Sequence, residues 1–191
     1  MSTAQSNQCS CEGFTTRPHI FLSCLLLLFV CSNLLAQSKQ KRQPSTPAER
    51  AQAAQIAREL ETDPLLPGNE NMRAWLKLWL GEVPDITIQV CAEEFGPFSH
   101  EANREQNFGS IIFGQSKFSS ASFVIEHPDK AKNAIAVYTA GVEGSLKVYQ
   151  SILKTHPEAR RPSLDDLVVK MQNGELAKYI ERATAMCGKH T

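Results

Sequence analysis

The sequence lacks net charge: 20 Lys and Arg stand against 20 Asp and Glu. Removing the first 36 residues takes away one of each, Arg17 and Glu12, so the balance persists in the rest of the chain. Without a basic excess there is nothing to neutralise a phosphate backbone, and a nucleic-acid partner is excluded. Cysteine is scarce where a fold could use it. Of the six, Cys9, Cys11, Cys24 and Cys31 lie in or before an N-terminal apolar run, which leaves Cys91 and Cys187. Two cysteines without nearby histidine spacing do not make a four-ligand zinc site. Nucleophile elbow, phosphate-cradling loop and dinucleotide fingerprint are all missing, and Gly109, Gly114, Gly141 and Gly144 do not fall in a phosphate-loop pattern. No cofactor, no metal and no catalytic constellation are therefore expected.

What is present begins with the apolar run from Ile20 to Ala36, followed by the basic residues Lys39, Lys41 and Arg42. Its core is about a dozen residues, the length of a signal-peptide apolar region and short of the ~20 that cross a bilayer as a helix. Residues 1–38 read as a signal peptide. Ala36 and Ser38 are the cleavage candidates, and Ser38 fits better because Ala36 then supplies the small residue two positions upstream. The weakly charged start and the basic residues after the run favour the alternative, an uncleaved anchor. A lipoprotein reading fails because Val30 precedes Cys31 and because Pro18 and His19 leave Cys24 almost no apolar region. The expected location is outside the cytoplasm, periplasmic or extracellular, with membrane attachment only if the segment is retained. In that setting an even pair of cysteines predicts one disulfide, Cys91–Cys187. It would close a loop of about 95 residues, worth roughly 4–5 kcal/mol in the chain-entropy model.

Residues 39–45 continue a polar, linker-like stretch without an apolar side chain, expected to be disordered. Residues 46–191 form one domain, large enough for a core of its own. Thr46, Pro47 and Glu49 make a capping box with Pro at the first helical position. Ala53, Ile56, Ala57 and Leu60 share the face that follows. A second helix is capped by Asn69 or Asn71, carries Met72, Trp75, Leu76, Trp79 and Leu80 on one side, and closes at Gly81. Residues 86–91 alternate like a strand, but Pro84-Asp85 also opens a helix, and helix is the expectation. A turn is expected at 95–101, then two helical pieces, Asn103 to Lys117 and Ser119 to Glu126, broken near Gly114. The longest stripe runs from Ala131 to Leu153. Gly141 and Gly144 weaken it and predict a bend or a close helix contact. Two short helices follow, Ser163 to Met171 with a capping box from Ser163 and Asp166, then Glu175 to Met186. The fold class is all-α, an irregular bundle of six to seven helices with sequential helices antiparallel.

Several local patterns suggest chemistry. His100-Glu101 opens a zinc-protease motif whose second histidine position holds Arg104, so the metal could not be held. His127-Pro128-Asp129 is similar to the loop tripeptide of J-domain co-chaperones, but the segment before it, Ser119 to Glu126, lacks the basic residues of that family's preceding helix. Ser145 to Pro157 resembles the second half of a tetratricopeptide repeat, with Tyr149 and Pro157 in that family's spacing. The first-half positions fall on Asp129, Asn133 and Ala136, and no second copy occurs. The resemblance implies no more than a helical scaffold offering a groove to a peptide. Trp75 and Trp79 read as core. The acid pairs Glu93-Glu94, Asp165-Asp166 and Glu101 with Glu105 read as solvated surface. The functional expectation is an exported, non-catalytic domain that binds a protein or a peptide. One alternative is an exported hydrolase using His100 or His127 with Glu101, Glu105 or Glu126. The other is an envelope structural protein held by its N-terminal segment.

Overall fold

The computed structural model describes residues 42–103 and 105–187. The expected signal segment 1–38, with Ala36 and Ser38, lies outside these residues, as do Lys39 to Lys41 of the linker. Among the described residues the chain is all-α, with six α-helices and two 3-10 helices. No described helix is long and apolar enough to cross a membrane.

The N-terminal end of the domain is tied down earlier than expected. Ser45, read as linker, is buried, and its backbone N–H and hydroxyl donate to Asp85 at 2.7 and 2.6 Å. Helix α1, Pro47–Thr62, then starts as the sequence predicts. The Glu49 N–H donates to Thr46 Oγ1 at 3.2 Å and the Thr46 N–H donates to Glu49 Oε2 at 2.7 Å. Helix α2, Asn69–Glu82, is entered through Gly68 at φ 94°, a left-handed conformation glycine adopts freely. Neither Asn69 nor Asn71 caps it. Asn69 is buried and reaches back to the Asp63 carbonyl, closing the loop between α1 and α2. Gly81 does not end α2 either; the helix runs to Glu82, and buried Val83 follows with its N–H donating to the Trp79 carbonyl.

The segment 84–91 is neither helix nor paired strand; it is an extended connector. Asp85, which could have capped a helix, instead accepts from Ser45 and from Arg50 at 3.3 Å. The connector ends at Cys91, disulfide-bonded to Cys187 with Cα atoms 6.1 Å apart. The expected turn at 95–101 belongs to a longer 3-10 helix, Ala92–His100, kinked at Gly96 where φ is 54°.

Helix α3, Gly109–Glu126, is unbroken through Gly114, contrary to the two-piece expectation. It pairs with α4, Ala134–Leu153, and the contact is made of small residues. A Cβ on Gly144 would collide with Ser119, and one on Gly141 with Ser120 and with the Ser116 carbonyl at 2.9 Å. The glycines expected to bend the long helix or to seat a neighbour do the second. A short 3-10 helix, Pro157–Ala159, leads to α5, Pro162–Gln172, and α6, Leu176–Ala183, closes the fold. Arg161, not a Ser163–Asp166 box, stands at the start of α5, and Ser163 instead hydrogen-bonds Glu101.

Two apolar clusters fill the interior. One, under α1 and α2, contains Leu60, Leu76, Trp79 and Phe118. The larger gathers Phe95, Phe98, Val142, Tyr149, Leu164 and Ile180 around α4. Trp79 is core as expected; Trp75 stacks on it at 5.9 Å while staying half-exposed.

Candidate functional site

The exposed side of α4 forms the floor of a groove of about 700 Å³. Ala136, Ala140, Glu143 and Lys147 line it at a spacing of four, three and four residues, one helical stripe next to the stripe that carries Gly141 and Gly144. Two alanines on the floor keep side chains short, so a second backbone can come close. The walls come from Arg58 of α1, Phe123 and His127 at the end of α3, and Ala177 of α6.

The charges at the wall are ordered. Glu61, 5% exposed, accepts from Ser119 Oγ at 2.7 Å, from Arg58 at 3.0 Å and from Lys147 at 3.0 Å. Arg58 also pairs with Glu126, and that partner helps hold its guanidinium above the ordinary arginine range despite the desolvation that opposes it. Glu61 is thus a buried charge with three donors, the condition under which a buried carboxylate is tolerated. The local sequence supplies only Arg58, three residues before it; the other two donors come from α3 and α4, which no local pattern marks.

The two histidines of the hydrolase reading are both exposed and stand in separate places. His100 faces Glu93 at 3.1 Å, a pair lying in the open. His127 lines the α4 groove, with its ring against Phe123 at 4.8 Å. Of the three carboxylates proposed beside them, two are engaged elsewhere. Glu101 accepts from Arg161 at 2.9 Å and from Ser163 at 2.5 Å, and Glu126 accepts from Arg58 and from Ser122 at 3.2 Å. Among the described residues no group of three His, Cys, Asp or Glu side chains could hold a metal ion.

The acid pairs divide rather than act together. Glu94, read as surface, is 3% exposed, and burial pushes its carboxyl up to about 7 against the partial relief of hydrogen bonds from Ser116 and the Cys91 backbone. Glu93 beside it is exposed. Asp165 accepts from the buried Tyr149 hydroxyl at 2.9 Å and from Arg160 at 3.0 Å, whereas Asp166 takes Lys170 at 2.8 Å. Burial is the main reason the Tyr149 hydroxyl is pushed up to about 12.

Arg161 is a buried anchor that the sequence does not signal. Its guanidinium donates to Glu101, to the side chain and carbonyl of Asn103 at 3.0 and 3.1 Å, and to the Gln106 carbonyl at 3.0 Å. It fixes the loop before α3, where Asn107 and Phe108 hold positive φ. This is a structural role, since every donor named ends on the protein itself. The chain matches no protein-family model, no curated protein and no solved structure.

Proposed function

We propose that this chain is an exported, non-catalytic helical domain that binds a segment of another protein in the groove along α4. The observation that supports it is the stripe of α4 that faces the groove, with Ala136 and Ala140 on the floor of about 700 Å³ of open space. Small residues let helices approach closely, and α3 already uses that device on the neighbouring stripe. A helical segment laid in a groove is a recurrent mode of peptide recognition. The rim supplies Lys130 and the Arg58–Glu61–Lys147 cluster, which gives polar contacts around an apolar centre. The hydrolase alternative draws no support from the placement of His100 and His127.

The test is site-specific photocrosslinking from Thr139, in the groove, performed on the full chain in its native cells. One discrete protein adduct is expected, and Ala140→Trp should abolish it while leaving the helical circular dichroism intact. Absence of any discrete adduct, or an adduct indifferent to Ala140→Trp, would refute the reading. The intact mass of the captured chain separates processed export, starting at Gln37 or Lys39, from the anchored alternative.

A further inference from the structure

A second groove, sharing no lining residue with the first, lies between α2 and α3 and encloses about 550 Å³. That is within the range of small-molecule sites, roughly 300–1,000 Å³. Its floor comes from α3: Ile111, Gly114 and Phe118 recur at three and four residues, with Phe113 beside them. Its cationic rim comes from Arg73 and Lys77 on α2 and Lys117 on α3.

Three observations point to an occupant. Helix α3 has only two charged residues, Lys117 and Glu126, and more than half of its residues are buried. The apolar side chains of such a packed helix are normally turned toward a neighbour. Here Ile111 and Phe113 remain half-buried at the groove. Gly114 lines the same space, and a Cβ built on it would meet nothing within 4 Å, so the groove stays open at its centre. Arg73 is the third. One edge of its guanidinium donates to the Pro64 carbonyl, while Nε is buried without a hydrogen-bond partner among the described residues. Desolvation lowers its pKa, offset only by the nearby charge of Glu70. A cation partly stripped of water beside an apolar trough is complementary to an anion joined to an apolar tail. Glu105 is the one acid among the described lining residues, against three cations.

We infer that the α2–α3 groove binds a single-chain anionic amphiphile, its aliphatic tail along Ile111, Gly114 and Phe118 and its carboxylate or phosphate head at Arg73, Lys77 and Lys117. Tail and head are both required. The tail covers the apolar surface of α3, and the cationic rim selects for a negatively charged head.

The test is isothermal titration of the full, disulfide-bonded chain with dodecanoate, dodecyl phosphate, dodecanol, dodecyltrimethylammonium and inorganic phosphate, each below its micelle concentration where it has one. Saturable one-to-one binding of dodecanoate or dodecyl phosphate is expected, and the tighter of the two identifies the head group. Dodecanol, the cationic amphiphile and inorganic phosphate should each bind at least about tenfold more weakly. Gly114→Trp fills the trough and should weaken binding at least about tenfold by steric exclusion. Lys77→Gln with Lys117→Gln should weaken anion binding by about fivefold or more and leave dodecanol unchanged. Thermal unfolding of each variant confirms that the fold is retained. Equal binding of anionic and cationic amphiphiles, or affinity unchanged by Gly114→Trp in a folded variant, would overturn the inference. So would the absence of saturable binding by either anionic amphiphile.

Discussion

Glu94 sits one residue from Glu93, and the two share composition, charge and neighbours in the sequence. One is exposed and the other is 3% exposed. The difference is made by the 3-10 helix, which turns Glu94 inward beside Ser116 and the Cys91 backbone. Its carboxyl ionises at about 7 in the folded protein, against 4.5 for an ordinary glutamate. Between those two values the folded chain holds a proton that the unfolded chain has released. The stabilisation is therefore complete below the lower value and is lost as pH rises through the upper one, by up to about 3 kcal/mol. Urea denaturation at roughly pH 5 and pH 8 should show higher stability at the acid end, and Glu94→Gln should flatten that difference. A wild-type profile that is flat or rises over this window would contradict the burial of an ionisable Glu94.

Among the helices, α1 was fully legible because its start is a local event. Thr46, Pro47 and Glu49 satisfy the first N–H groups with partners three residues away. Helix α3 is continuous where its sequence suggests two pieces, for the opposite reason. Its one internal glycine costs about 1 kcal/mol of helix propensity, which outweighs nothing once both sides of the break are buried against α1 and α4. Gly114 and Gly144 make the distinction measurable, since both stand inside helices. Gly114→Ala meets open space and should raise stability by about 0.5–1 kcal/mol. Gly144→Ala drives a methyl into Ser119 and into Glu61 Oε1 and should lower it by about 1–3 kcal/mol. Denaturant midpoints with unchanged slopes would report both. Stabilisation by Gly144→Ala would mean that α3 and α4 do not approach as closely as their serine–glycine contact implies.

For the molecule as a whole, the Cys91–Cys187 disulfide joins the extended connector to the chain beyond α6, across 96 residues of sequence. Cys91 is 4% exposed and belongs to the larger apolar cluster, with Cys187 packed against it. Reduction should cost up to about 4–5 kcal/mol, most of it by releasing the unfolded chain. Guanidinium unfolding with and without reductant measures this. A shift below about 1 kcal/mol would mean that the apolar cluster alone holds the two ends together.

The sequence by itself determined the all-α class, the capped start of α1, the approximate span of α4 and the pairing of Cys91 with Cys187. These follow from periodicity, from neighbours within one helical turn, and from there being two cysteines beyond the N-terminal run. Only the tertiary structure decided the course of residues 84–91, where Asp85 serves Ser45 and Arg50 rather than a helix end. It alone decided that Glu94 is buried, that Glu61 gathers three donors and that Arg161 holds the loop before α3. It also decided that α2 and α3 leave a groove between them. Each of these depends on partners tens of residues apart, and their meeting is set by how helices pack, which no local pattern encodes.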